Sequence, residues 1–256
     1  MSDKAYANVP ISNGKQIIGT AGTTSTARLS LTASYHGVPA HAGVSPWEGV
    51  NALDALVLTY NNISALRQQI RPDQRIHGCI LDAPKAANII PAHTEVQYMI
   101  RGASLGGVRQ LEKRVRACIE AGGLATGCKV DIKTEENGYA DLRINDALSS
   151  VFQESMSELY DVHLLHSEVG KLAASTDQGN VSYEVPALHA LIGIPTVGGE
   201  GPHSKGFEAA AGRVEAEERF VVAGKGMAVT GWRVLVDDGV YGRVREGFEE
   251  DRKRRD

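Results

Sequence analysis

Only three cysteines, Cys79, Cys118 and Cys128, occur in the 256 residues. They cannot build a disulfide framework, and no CxxC pair offers a metal knuckle. They fit a reducing compartment, where a buried thiol behaves as a small hydrophobe. Aromatic residues make up just 5%, so the core must come from Val, Leu, Ile and Ala. No apolar run approaches the roughly 20 residues that a membrane helix needs. The opening MSDKAYANVPISNGKQ has no apolar leader core. These absences predict a soluble, cytoplasmic protein with no membrane partner. A formal net charge of -4 argues against a dedicated nucleic-acid binder. There is no P-loop, no GxGxxG after a strand, no GxSxG elbow and no HExxH, so the commonest phosphate, serine-hydrolase and single-zinc signatures are missing.

What is present can fold. Apolar residues are 42% and charged residues 23%, which excludes disorder as the dominant state. Residues 1–25 contain the Gly/Thr-rich GTAGTTST and read as an extended or poorly ordered arm. Residues 27–35 alternate, with Leu29, Leu31, Ala33 and Tyr35 on one side and Arg28, Ser30, Thr32 and Ser34 on the other, as in a half-buried strand. After a loop from His36 to Val44, Ser45-Pro46-Trp47-Glu48 has the form of a capping box with Pro at the first helical position. The helix is expected to carry Val50, Leu53, Val57, Tyr60 and Ile63 inward and to stop near Ile70, before Arg71-Pro72. Residues 75–82 and 93–101 read as strands around the loop PKAANIIPAH. A second helix is expected from Leu105 to Gly122, with Leu105, Val108, Leu111, Val115 and Cys118 as its stripe and Gly122-Gly123 as its end. Lys129–Thr134 alternates again. The order β-α-β-β-α-β is that of a ferredoxin-like two-layer domain.

Beyond Gly138 the pattern thins. Asn145 is expected to cap a helix running to Tyr160, with Leu148, Val151, Phe152 and Leu159 inward. HLLHSEVGKLAASTDQGN is irregular, Ala187–Ile194 is a short buried strand candidate, and Glu215–Val236 is a long helix interrupted by glycines. YGRVREGFEEDRKRRD reads as a solvated or frayed helical tail. One strand and two helices are little for an independent core, so apolar surface is expected to remain uncovered here.

Eight histidines remain as candidates for chemistry, at 36, 41, 77, 93, 163, 166, 189 and 203. His41 sits among small residues between a strand and a helix, a junction that can present an imidazole to another surface. His163-x-x-His166 would place both rings on one face of a helix, with no further donors nearby. Glu135-Glu136 and Glu217-Glu218 read as solvated charge.

AHAG-SPWEG-NALDA, RQQIRPDQRIHG, ANIIPAHTEVQYMIR, GCKVDI, STDQGNVS and PHSKGFEAAAG together resemble, in order, the co-catalytic zinc peptidases and amidohydrolases of aminoacylase and carboxypeptidase G, metallopeptidase family twenty. The similarity is greatest to the β-alanyl-lysine dipeptidase-like branch. The resemblance implies an α/β zinc domain interrupted by a ferredoxin-like lid that dimerises. It implies that His41 reaches the partner's site and stabilises the oxyanion of the tetrahedral intermediate. Asn88 would hydrogen-bond substrate, Arg101 would clamp a substrate carboxylate, Asp177 would line the site and His203 would ligate metal. In the family an H-x-D, a bridging Asp and a Glu-Glu pair precede the lid. No H-x-D occurs in this chain.

The expected organisation is an arm at 1–26 as a remnant of the catalytic domain, the lid at 27–136, the carboxyl-terminal part of the catalytic domain at 137–238 and a charged tail at 239–256. A truncated chain, a degenerate homologue and the second half of a split enzyme all share this pattern. The expected activity is amide cleavage of dipeptides or N-acyl amino acids by zinc-activated water, with the chain inactive alone and binding little or no zinc. The alternative is a non-catalytic dimerisation module. The expected partners are a small substrate and a second lid, in a homodimer or a heterodimer with a full-length homologue.

Overall fold

The computed structural model describes residues 9–10, 16–167 and 174–255. In chain order its strands are β1 (Val9–Pro10), β2 (Gln16–Gly22), β3 (Ala27–His36), β4 (Ala40–His41), β5 (Arg75–Asp82), β6 (Ile89–Ile90), β7 (His93–Gly102), β8 (Lys129–Thr134), β9 (His163–Ser167) and β10 (Leu191–Ile192). The helices are α1 (Ala52–Leu66), α2 (Leu105–Thr126), α3 (Asp146–Tyr160), α4 (Gln178–Glu184), α5 (Lys205–Ala211), α6 (Val214–Val236) and α7 (Asp238–Lys253). The described residues fall into two compact units. One is Thr26–Asp141; the other joins the chain up to Ser25 with Leu142–Arg255.

The Thr26–Asp141 unit is a four-stranded antiparallel sheet in the order β5-β7-β3-β8, the βαββαβ arrangement expected of a ferredoxin-like domain. β3 and β7 pair without a break from Ala27↔Gly102 to His36↔His93. Their alternation sends Leu31, Ala33, Tyr35, Val96, Tyr98 and Ile100 into a core shared with Ala55, Leu56 and Ile63 of α1 and Val108, Leu111, Val115 and Ile119 of α2. The Tyr35 hydroxyl finds a partner inside that core, 2.6 Å from Thr59 Oγ1. At the His36–His93 end, β4 and β6 form a short ribbon, with His41 opposite Ile89.

Three local expectations for this unit need correction. Ser45 makes no capping bond; Pro46–Glu48 is a single 3-10 turn, and Gly49 behind it is extended. The cap of α1 is Asn51, whose Oδ1 accepts from Leu53 N at 2.9 Å and Asp54 N at 3.4 Å. With the start moved, the inward stripe becomes Ala52, Ala55, Leu56, Thr59 and Ile63, which leaves Val57 and Tyr60 exposed. Nor does Gly122-Gly123 end α2. Both glycines are buried inside the helix: a Cβ on Gly122 would lie 2.6 Å from Ala55 O, and one on Gly123 would lie 2.0 Å from Val130 Cγ2. They let α2 approach α1 and β8 closely. The helix stops at Gly127, which takes the left-handed conformation with φ 77°.

In the other unit, residues 16–22 form a strand rather than a loop. β2 pairs in parallel with β9 and antiparallel with β1 and β10. Its buried GTAG stretch shows no polar alternation because both faces are covered, and it carries small residues because the neighbours come close. A Cβ on Gly19 would lie 1.9 Å from Leu191 O. The strand candidate at 187–194 contracts to Leu191–Ile192. In α3 the buried residues include Leu148, Val151, Phe152 and Met156, whereas Leu159 is exposed. The charged terminus is helical but is not a frayed tail: Val240 and Val244 of α7 are buried against Leu148 and Val151. α6 exposes Phe220 (79%), Trp232 (65%) and Leu235 (81%), an apolar face of the kind expected in this segment. Among the described residues no helix is long and apolar enough to cross a membrane.

The cap assignment is testable. Asn51→Ala should lower lid stability by about 1 kcal/mol in urea unfolding, because two N-terminal amides lose their acceptor. Ser45→Ala should change it by no more than about 0.5 kcal/mol, as for a surface substitution that removes no cap bond. The reverse ranking would restore the Ser45 start.

Candidate functional site

The β4–β6 ribbon brings His41 and Asn88 together. His41 pairs with Ile89, and Ala42 N donates to Asn88 O at 3.0 Å. Both side chains belong to exposed residues. Gly43 N donates to His41 Nδ1 at 3.2 Å. That nitrogen is therefore an acceptor, and the neutral ring carries its proton on Nε2, available as a donor elsewhere. The same tip exposes Val44 and Trp47, the latter to 78%. Asn88 lies in the turn that precedes β6.

Arg101 lies at the opposite end of the same sheet. It pairs with Arg28 on β3 and with Arg75 on β5. Arg28 is held by Glu135 at 2.7 Å and stacks on Tyr139 at 4.0 Å. Arg75 donates to Gln74 O at 2.6 Å. Arg101 Nε points to His77 Nε2 at 3.3 Å. Burial, and then the charge of Arg28, make the Arg101 guanidinium a weaker base than usual. Burial, and then Arg101, push the His77 imidazole below its ordinary value, which keeps it neutral and able to accept. This cationic row was not foreseen. The strand alternation already put Arg28 on the polar face; what it could not supply was the register aligning three arginines.

Asp177 and His203 belong to the other unit. Asp177 is exposed at the start of α4 with helical φ of -66°, and its side chain caps nothing. The turn is closed by Thr176 instead, whose Oγ1 accepts from Gln178 N at 3.3 Å; an Asx turn at Asp177 is therefore not the local geometry. His189, absent from the site expected from sequence, has a buried Nδ1 with no hydrogen-bond partner. Burial lowers its affinity for a proton, and the charge of Asp177 opposes that. His203 is exposed and adopts a positive φ of 67°, uncommon for a non-glycine residue. Behind it Ser204 caps α5 through Phe207 N at 3.2 Å. His163 and His166 lie on β9 rather than a helix, and each meets its own aspartate, Asp161 and Asp146, both at 3.1 Å. Glu135 of the first pair is the Arg28 partner rather than simply solvated charge.

A zinc site needs three or four converging donors. Among the described residues no group of three or more His, Cys, Asp or Glu side chains could hold a metal. His203 stands without such a set, so these residues do not fit the ion.

The M20 peptidase dimerisation domain matches residues 23–126, so that segment belongs to this domain family. The chain is 37% identical over 224 residues to the mouse Xaa-Arg dipeptidase, covering 87% of this chain and 52% of that protein. The human Xaa-Arg dipeptidase is 34% identical over 225 residues, covering 87% and 51%. The fold resembles that of aminopeptidase PepT from Bacillus cereus with a TM-score of 0.60 and 14% identity, over 90% of this chain and 55% of that one. The chain thus spans about half the length of the curated relatives it matches.

The Asp177–His189 relationship has a measurable sign. By NMR titration His189 should bind its proton below the ordinary histidine value near 6.5, and Asp177→Asn should lower that value further by removing a favourable charge. Because the folded form resists a proton that the unfolded chain accepts, this contribution to stability is present at neutral pH. It is lost as pH falls from about 6.5 toward the folded value. An unchanged His189 titration in Asp177→Asn would show that the two groups do not interact.

Proposed function

We propose that this chain supplies the lid and substrate-orienting elements of a peptidase or amidohydrolase acting on dipeptides or N-acyl amino acids, and that it does so as one half of a lid dimer. The observation that carries this reading is the separation of His41 and Asn88 from Arg101. They occupy opposite ends of a ladder whose eight-residue step from His93 to Arg101 spans about 27 Å at 3.4 Å per residue. A dipeptide backbone spans only about 7 Å. One lid cannot direct all three at one such substrate; two lids, each lending its histidine end to the other's site, can.

In this reading Arg101 binds a substrate carboxylate through its planar fork. Asn88 hydrogen-bonds the substrate amide. The Nε2–H of His41 donates to the carbonyl oxygen as it gains charge, an interaction worth a few kcal/mol when water is excluded. Asp177 would orient substrate, and His203 would be one metal ligand. Cleavage by the family's zinc-activated water would require donors beyond those described above, so the chain by itself is expected not to turn over substrate.

The sheet edges favour one mode of association. β8 presents Lys129, Asp131 and Lys133, charges that discourage edge pairing. β5, the other edge, exposes Ile80 (53%) and Leu81 (52%), with Val57 and Tyr60 of α1 exposed in the same unit. A cleft of about 370 Å³ between α1 and β5 is lined by Leu56, Tyr60, Ile80 and Tyr98. In it the Tyr98 hydroxyl lacks a partner, and its pKa is pushed up to about 12, chiefly by burial.

The test is complementation. A full-length Xaa-Arg dipeptidase, inactivated by alanine at the histidine matching His41, is mixed with this chain, and dipeptide hydrolysis is measured. Wild-type chain should restore turnover, His41→Ala chain should not, and Ile80→Lys/Leu81→Lys should abolish both restoration and sedimentation as a dimer. Restoration by the His41→Ala chain, or turnover by this chain alone, would overturn the proposal.

A further inference from the structure

The carboxyl-terminal helix does more than cover α3. At seven residues, Gln178–Glu184, α4 is far too short to hold itself together in water, yet Asp177 sits at its N-cap position. Its far end is held by the Arg143 backbone and the Arg255 side chain, which Asp251 links. Arg143 N donates to Ser182 Oγ at 3.1 Å, and that hydroxyl donates to Gly179 O at 2.6 Å. The Arg143 guanidinium holds Asp251 of α7, with Nε to Oδ1 at 2.9 Å and a second contact from NH2. The other carboxylate oxygen of Asp251 accepts from Arg255 Nε at 2.9 Å. Arg255 completes the chain by donating to Tyr183 O at 2.6 Å and Ser182 O at 3.1 Å.

The Arg255 guanidinium lies 4.6 Å from the Tyr183 ring and 5.0 Å from the Phe248 ring, and its side chain is 9% exposed. It places a positive fork where the last carbonyls of α4 have no intrahelical partner and the helix dipole is negative. Burial alone would raise the Asp251 carboxyl; Arg143 and Arg255 outweigh it and hold the group below the usual carboxylate range. α7 is itself pinned to α3, by Asn145 Nδ2 donating to Val244 O at 2.9 Å and by the packing of Val240 and Val244 on Leu148 and Val151. A rigid path therefore runs from α3 through α7 to the end of α4 opposite Asp177.

We propose that Asp251 and Arg255 are positioning residues: they clamp the carboxyl end of α4 and thereby set the Asp177 turn. Their importance for the reaction rests on the reading of Asp177 given above; the clamp itself does not. It is tested in the full chain by two readouts that use no substrate, amide hydrogen exchange of residues 179–185 and the NMR titration of His189, which senses Asp177. Arg255→Ala should speed exchange in α4 by at least about tenfold, as loss of a charge-assisted bond would, while β2 and β9 amides stay unchanged. It should also lower the His189 titration in the direction of Asp177→Asn. Arg255→Lys keeps the charge but cannot fork to two carbonyls and a carboxylate; it should fall between wild type and alanine, and it serves if the alanine variant does not fold. Unchanged α4 exchange and an unmoved His189 in either folded variant would overturn the clamp. A clamp that behaves as expected in a protein whose Asp177→Asn variant keeps full complementing activity would instead remove Asp177 from the substrate site.

Discussion

The ten-residue pairing of β3 with β7 is the constraint on which the lid depends. It runs without a bulge from Ala27↔Gly102 to His36↔His93. The period of two is therefore preserved, and every inward position on one strand faces an inward position on the other. Burial of Leu31, Ala33, Tyr35, Val96, Tyr98 and Ile100 follows from that register, and so does the docking of α1 and α2 on one face. A single-residue slip would send those side chains to solvent and lift the arginine row out of alignment. The same ladder acts as a ruler. It holds the ribbon of His41 and Asn88 at one end and Arg101 at the other, and nothing in the helical layer can shorten that distance.

Close approach is the second theme, and it explains which parts of the fold were legible. Strands 27–36, 75–82, 93–102 and 129–134 announce themselves because one face is wet and the other dry, so polar and apolar residues alternate. β2 does not, because both of its faces are covered and its neighbours require Gly19, Thr20, Ala21 and Gly22; composition then looks like that of a loop. Gly122-Gly123 carries the same lesson. A glycine pair at the end of an apolar stripe resembles a helix stop, but here the missing Cβ atoms are what bring α2 against Ala55 and Val130. Whether a glycine is there for its φ or for its lack of a side chain depends on the neighbour, which the local sequence does not contain.

The candidate site was legible in a different way. His41, Asn88, Arg101, Asp177 and His203 were singled out by resemblance; by themselves a lone histidine, a turn asparagine and a strand-end arginine carry little. Structure adds what a motif cannot. Gly43 sets the tautomer of His41, the charge of Arg28 acts on Arg101, and Thr176, not Asp177, closes the STDQGN turn. The misplaced cap at Ser45 shows the limit from the other side. Both Ser45 and Asn51 are good capping residues, and the choice between them is made by tertiary pairing: Val38 bridges Val50, and Ala52 N is held by Pro91 O.

The two ends of the ladder also differ in what they offer a ligand. At the arginine end Arg28 is already neutralised by Glu135 and Arg75 turns to backbone carbonyls, while Arg101 is partly desolvated beside them. The planar donor fork of an arginine at this end suits a carboxylate. At the ribbon end His41 has an N–H and Asn88 an amide, neutral donors and acceptors suited to a carbonyl or an amide rather than a full charge. Apolar Val44 and Trp47 beside them would exclude water once that tip is covered, and a neutral donor gains strength as the dielectric falls. A small peptide carries both kinds of group within a few ångströms of each other, whereas a single lid holds their recognition elements at a fixed long separation. In the proposed reading the two ends that meet one substrate belong to different chains, and association is then part of the chemistry.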